Sequence, residues 1–544
     1  MLENLQGKQV GNHAALMCIK EANPRLRKTE LGQANDSMIS VGRITPDRVG
    51  ELAIPKTVAK SEWIVVGVLA VFSVFTLVYP VARAFYHLQI DYNEGWNVYH
   101  AQTAMHHLPL YYPKYGWTTV NYPMLSFYIV GYFSRFLGNY DYLLAGRVLS
   151  LISLLLCCML VCLIVRTLTN NWAAAIFGAS FCLALFCAKA SFYVGADDPQ
   201  MLGQPFLLAG LLLYLLGPPR TVLLGVIALL FVLGGNIKHD LLAIPISVAV
   251  DLLLISRGKA VRFLLFSAIF LGLSIVFSVL VGGPFFTSKM LTPRVYSLYR
   301  AVRQFVWHYG LLQLPLVIAF IWSVWNLQNA RFRAISLYFF VSLILGLVFS
   351  GGHGVAINAF FDNFLAISII VGVCLDYGWR HIVERRWRFA VPVLLYSSVF
   401  FVFGQSGNVN LPLHFSRLRE SEKRFEAEVS FLAAQPGPAI CESMLRCYYA
   451  GKPFLFDPFN STSLVQFGKL DSKDIVDQIA QKRYGAIQTE LPVSDFPRPN
   501  DRFPNDVLNA ITRSYTASWR DQDCIIYVPR PEGVPRKSLT TAIQ

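Results

Sequence analysis

Along most of the chain, apolar residues do not alternate with polar ones at helical or strand spacing. They run on in blocks of about 18 to 24, long enough to cross a hydrocarbon core of about 30 Å. Eleven apolar blocks, several of them short or interrupted, predict transmembrane helices near 63–86, 145–165, 172–189, 200–216, 221–235, 241–256, 262–281, 311–327, 334–350, 357–375 and 389–404. The first starts too deep in the chain, and is too long, for a cleaved signal peptide, so it reads as an uncleaved helix. The apolar stretch from Pro123 to Phe136 is too short to span and predicts an interfacial helix.

From about residue 415 the pattern becomes that of a soluble domain. Ser472 to Lys482 has helical spacing with Ser472 as a plausible cap, and Gly485 to Thr489 and Cys524 to Val528 read as short strands. The domains expected are therefore a basic tail over 1–62, a mostly α membrane bundle over 63–404 whose first outer loop is 87–144, and a small α/β or α+β domain over 405–544. No internal repeat interrupts this order.

Composition agrees with a membrane protein: 54% of residues are hydrophobic and only 15% charged. The formal charge of +14 sits mostly between the apolar blocks, which excludes a nucleic-acid reading and instead orients the bundle. Arg166, Arg220, Arg257, Lys259, Arg262, Arg331, Arg333, Arg380, Arg385, Arg386 and Arg388 fall in connectors on one side, that of the basic tail. By the positive-inside rule this side is cytoplasmic and the C-terminal domain extracytoplasmic, which predicts a multi-pass protein of the cell (inner or plasma) membrane. Of the ten cysteines, Cys157, Cys158, Cys162, Cys182, Cys187 and Cys374 lie inside apolar spans as small hydrophobes. One bridge among Cys441, Cys447 and Cys524 is open to the C-terminal domain, with the pair undetermined.

The residues with chemical potential gather in the outer connectors. Asp91 and Glu94 follow the first helix, and if that stretch is helical their spacing puts both carboxylates on one face, where either could deprotonate a hydroxyl. Both could equally be solvated loop acids. Asp197-Asp198-Pro199 opens the fourth span; this is ordinary helix-start chemistry, or a contact that orients substrate or a divalent cation such as Mg or Mn. Lys238-His239-Asp240 sits between two apolar blocks and belongs at the boundary or in a polar cavity, because intramembrane charge is costly. Lys238 is placed to hold a lipid phosphate or to snorkel. Arg294, Arg300 and Arg303 break the positive-inside pattern beside Tyr296, Tyr299 and Trp307, a combination suited to anionic lipid or a carrier phosphate. His353 lies in a Gly-rich loop, Asp362 just inside the next span, and Asp251 near the other end of its helix. His100, His106 and His107 lack zinc spacing.

Taken in order, Asp91-Tyr-Asn-Glu94-Gly-Trp-Asn-Val-Tyr-His-Ala, Leu110-Tyr111, Asn121-Tyr122-Pro123-Met124-Leu125, Ala145-Gly146-Arg147 and the Gly354 to Asp362 stretch resemble a known family. They are similar to the GT-C membrane glycosyltransferases, in particular the protein-mannosyltransferase-like and aminoarabinose-transferase-like group (glycosyltransferase family 39-like), over about residues 63 to 400. Cys441-Glu442 and Ala450-Gly451-Lys452-Pro453 resemble the tail of bacterial members. Two positions depart from the family pattern: Asn93 precedes Glu94 where many relatives have adjacent Asp-Glu, and Met124 replaces a second proline.

The resemblance implies an inverting transfer of sugar from a polyprenyl-phosphate-linked donor to a hydroxyl of a lipid, glycan or protein acceptor at the outer face. Asp91 or Glu94 would be the base. Lys238 and an Arg from 294–303, with His353, would face the donor phosphate, and Asp197, Asp198, Asp240 and Asp362 would orient substrate. A divalent cation is possible but not required. Two other classes fit the composition. A secondary transporter would show inverted halves and midplane charges, and a non-catalytic scaffold would leave the outer acids and bases without a shared purpose.

Overall fold

The computed structural model describes residues 60–112, 116–138, 141–217, 220–405, 410–498 and 500–531. The tail expected over 1–62 lies outside them except for its last three residues. Thr57–Gln544 form one compact unit.

α1 (Lys60–Ala84) leads into a connector that carries α2 (Asn93–Met105) and α3 (Leu125–Leu137). Then come α4 (Tyr142–Thr169), α5 (Trp172–Lys189), α6 (Pro199–Leu215), α7 (Thr221–Ile237), α8 (Ala243–Ile255) and α9 (Arg257–Gly282). A second connector holds α10 (Phe286–Met290) and α11 (Leu298–Tyr309), followed by α12 (Gln313–Asn326), α13 (Arg333–Ser350), α14 (Phe361–His381) and α15 (Arg385–Gln405). The central helices α5 and α14 are apolar on all sides and buried along most of their length, whereas α9 lines the periphery with its apolar side chains exposed. Such an outer surface suits lipid, not water.

Each of the eleven expected blocks is helical, and the chain is a multi-pass membrane protein. Among the described residues, seven helices are long and apolar enough to cross a bilayer. The other four are shorter. α6 and α7 have 17 residues each, α8 has 13 and α12 has 14. At 1.5 Å per residue these reach only about 20–26 Å. α12 also meets α11 at a bend of 104°. The physical reason is visible at the ends of α6, α7 and α8. α6 starts at the Asp197-Asp198 turn, and α7 ends where Lys238-His239-Asp240 begins. Polar backbone is tolerated inside a bundle only where it lines a cavity or is covered by protein, so these helices stop short at the polar groups.

Beyond the bundle, α16 (Leu411–Ala434), which the sequence pattern did not predict, leads to a four-stranded sheet. Its elements are β1 (Ala439–Cys441), α17 (Met444–Tyr449), α18 (Pro458–Gln466), α19 (Lys473–Ala480), β2 (Ala486–Thr489), α20 (Asn505–Ser514), β3 (Tyr515–Asp521) and β4 (Cys524–Pro529). The strand order is β1-β2-β4-β3, with β1 and β2 parallel and the other pairs antiparallel. Ile440, Ile475, Ile479, Ile487, Phe503 and Ile511 form its core. Ser472 does not cap α19 as expected; its hydroxyl is turned to the Asp506 carboxylate instead. Of the three candidate cysteines, Cys441 and Cys447 form the bridge, with Cα atoms 5.9 Å apart, and Cys524 is a buried free thiol.

This C-terminal region packs directly on the first connector. A Cβ added to Gly95 in α2 would stand 2.2 Å from the backbone N of Leu445 in α17, so only glycine permits the approach. Trp96 Nε1 donates to Asp457 Oδ2 at 3.1 Å, and Tyr99 Oη donates to the Lys452 carbonyl at 2.7 Å. Trp96, Tyr99, Tyr111, Phe286 and Met444 share one apolar cluster.

Candidate active site

The chain from Ala84 to Glu94 is wound round a buried ion pair. Arg147, one and a half turns inside α4, is nearly inaccessible, as is Glu94 in the first turn of α2. Arg147 Nε donates to Glu94 Oε1 at 2.7 Å and Nη2 to Oε2 at 2.8 Å, the paired geometry in which a guanidinium binds a carboxylate most firmly. The remaining Arg147 donors reach the carbonyls of Ala84, Tyr86 and Leu88. Glu94 also accepts backbone N–H groups of Ile90 at 2.7 Å, Asp91 at 3.3 Å and Asp197 at 3.2 Å. With five donors around it, this carboxylate has its lone pairs occupied.

Asp91 is different. It precedes α2, is half-buried, and its Oδ1 accepts the Asn93 N–H at 2.9 Å. Burial, reinforced by the nearby Asp198 charge, pushes its carboxyl up to about 7. A carboxylate poised there is matched to proton abstraction near neutrality.

Asp197 and Asp198 lie against this turn. Asn97 Nδ2 donates to the Asp197 carbonyl at 2.5 Å, and a Cβ on Gly146 would overlap the Asp197 carboxyl at 2.3 Å. Burial, with the Glu94 and Asp198 charges nearby and against the pull of Arg147, raises the Asp197 carboxyl well above its usual range. Asp198 caps α6 through the Gln200 N–H at 2.8 Å, the helix-start reading, and also lies 3.7 Å from the buried Lys238 Nζ. Burial alone would lower the Lys238 pKa; Asp198, Tyr122 and Asp240 outweigh it and raise the value, so the ammonium stays charged. Its Nζ lies 5.2 Å from the Tyr122 ring centroid, a cation–π contact, and Arg294 is close enough to act on it electrostatically. Asn97 Oδ1, Ser126 Oγ, Asp197 Oδ2 and Asp198 Oδ2 are buried without protein partners beside one small cavity.

The structure thus brings Asp91, Glu94, Asp197, Asp198 and Lys238 to one end of the bundle, with Asp240 and Arg294 at the edge. The other candidates make contacts elsewhere, although Asp362, which accepts from Gln204 at 3.0 Å and from Tyr338 at 3.4 Å, lies close enough to Asp240 to feel its charge. His353 pairs with Asp501 of the C-terminal region at 3.0 Å. Arg303 is exposed on α11 and Arg300 is half-buried there. Asp251, at the far end of α8, meets Arg333 and Tyr214, both at 2.5 Å. Among the described residues no three His, Cys, Asp or Glu side chains are placed to share a metal ion. Positive charge beside these acids comes from Arg147 and Lys238, with Arg294 near Lys238.

Three contributors escaped the sequence reading. Arg147 entered only as part of a motif, although a cation five residues into an apolar helix signals a buried partner. Asp457, which burial lifts to about 6, and Arg502 belong to the region expected to form a separate domain, and no local signal marks them.

The fold is similar to that of solved GT-C enzymes. No family model matches the chain, and no curated protein matches it in sequence. Among solved structures, the aminoarabinose transferase ArnT from Cupriavidus metallidurans bound to undecaprenyl phosphate matches with a TM-score of 0.56 at 14% identity, covering 88% of this chain and 100% of that one. The archaeal oligosaccharyltransferase AglB from Archaeoglobus fulgidus, in complex with an inhibitory peptide and a dolichol-phosphate, matches with a TM-score of 0.50 at 12% identity, covering 88% of this chain and 75% of that one. Both are GT-C glycosyltransferases.

Proposed function

We propose that this protein is an inverting membrane glycosyltransferase that moves a sugar from a polyprenyl-phosphate carrier to an acceptor hydroxyl at the outer face of its membrane. One observation carries the reading: a half-buried carboxyl with its pKa near 7 stands in the same polar cluster as a buried, charged lysine. The similarity in fold to a protein bound to undecaprenyl phosphate supports the carrier class.

In this reading Asp91 takes the proton of the acceptor hydroxyl. The oxygen attacks the anomeric carbon opposite the phosphate, forming the new glycosidic bond with inversion. The bond from that carbon to the phosphate oxygen breaks, and its electron pair leaves on the lipid phosphate. Lys238, with Arg294 near it, stabilises the charge that grows there, and Asp198 holds Lys238 ready before substrate arrives. Preorganised charge of this kind acts without reorganisation during the reaction. Glu94 carries no proton in this scheme; it shapes the turn.

The decisive assay supplies purified protein with a polyprenyl-phosphate sugar and a set of lipid, glycan and peptide acceptors, and measures lipid phosphate released together with sugar transferred. Lys238→Met is expected to lower turnover about 10²- to 10³-fold. Wild-type turnover in that variant would remove Lys238 from the reaction. The rate is also expected to rise with pH through about 7 as Asp91 loses its proton. At pH 6 it should lie about tenfold below the plateau. A flat profile from pH 5.5 to 8 would contradict the base assignment.

A further inference from the structure

Tyr92, between Asp91 and the first residue of α2, is held by a side chain from the far end of the sequence. The Arg502 guanidinium carbon lies 3.6 Å from the Tyr92 ring centroid, in stacking contact, and 5.8 Å from that of Phe459. Arg502 is itself fixed twice. Its Nε lies 3.8 Å from Glu442 Oε1, whose other oxygen accepts the Glu490 N–H at 2.7 Å. Its backbone is set by buried Asn500, which accepts the N–H groups of Arg502 and Phe503, each at 2.8 Å, and donates to the Phe503 carbonyl at 2.9 Å. The preceding residue, Asp501, reaches His353 in the loop before α14. Two consecutive side chains of one turn therefore hold two separate connectors of the bundle.

We propose that Arg502 is a positioning residue: by stacking on Tyr92 it fixes the turn that presents Asp91, so that the C-terminal region is a working part of the site and not an appended domain. The inference rests on Asp91 being the base. The Glu94–Arg147 pair holds the Asp91 turn from its C-terminal side, through the bonds from Ile90 N and Asp91 N to Glu94. Tyr92 projects away from that pair to the C-terminal region, so Arg502 restrains the turn from a second direction. The Arg502 side chain is 30% exposed. Its partner Glu442 is only 5% exposed, so losing the guanidinium is expected to cost some stability, and local exchange at the turn, set against that of the bundle, separates a positioning role from a purely structural one.

The test uses full-length protein with Arg502→Ala, Arg502→Lys, Tyr92→Leu and the Arg502→Ala/Tyr92→Leu double variant. Turnover with lipid-linked donor, thermal unfolding and amide hydrogen exchange are measured on each. Arg502→Ala is expected to lower kcat about 10- to 100-fold, the scale of a small misplacement of a catalytic group, with KM for the donor unmoved whether or not the unfolding temperature falls. Exchange at 90–94 should accelerate while that of α5 stays as in wild type. Arg502→Lys, which keeps the charge but not the plane, should fall between, and the double variant should be no worse than Arg502→Ala alone. Wild-type exchange at 90–94 in Arg502→Ala, or additive losses in the double variant, would overturn the proposal. Asp91→Asn serves as the separate control. If it still transfers sugar, the base assignment fails, while exchange at 90–94 still decides whether Arg502 holds the turn.

Discussion

Replacing Asp91 with asparagine is expected to leave the protein folded and to lower sugar transfer by about 10²- to 10⁴-fold, the usual worth of a general base. The substitution is nearly isosteric, and an amide oxygen can still accept the Asn93 N–H. What is lost is the ability to take a proton. The acidic limb of the pH–rate profile should vanish with it, because burial and the Asp198 charge place that limb at Asp91. Lipid phosphate release, measured at matched protein stability, is the readout. An Asp91→Asn protein that turns over normally would move the base to another residue.

Glu94→Gln and Arg147→Met should behave in the opposite way, failing first in stability. Removing one member of a buried ion pair leaves the other charge uncompensated and costs about 3–5 kcal/mol. Here both partners are almost wholly shielded from solvent, at 0% and 1% side-chain exposure. The double variant should recover only part of the loss, since without the guanidinium the carbonyls of Ala84, Tyr86 and Leu88 lose their donors. Thermal unfolding in detergent or nanodiscs reads the order: wild type highest, the double variant between, either single variant lowest. If Glu94→Gln unfolds like wild type but has lost turnover, the roles of the two carboxylates are exchanged.

The contrast between these acids shows how far the sequence could be read. Apolar block length located every helix of the bundle, because burial in lipid demands continuous hydrophobicity and little else resembles it. It did not explain why α6, α7 and α8 stop short of a full span, which follows from where polar groups must be accommodated. Three residues separate Asp91 from Glu94, and nothing local tells them apart. The distinction comes from Arg147, 53 residues away on another helix, which occupies one and leaves the other. His353 and Arg303 stood as reasonable phosphate ligands on charge alone. Their places depend on Asp501 and on the course of α11, both tertiary matters. α16 was missed because its many charges hide a helix in a stretch that reads as soluble.

Arg147 lies five residues past the start of α4, so the junction it makes with Glu94 is set about 8 Å in from that helix's end. Under the proposed reaction, a sugar carried on a prenyl tail and an acceptor hydroxyl would have to meet beside that junction, and the acceptor would pass the C-terminal region that covers the first connector.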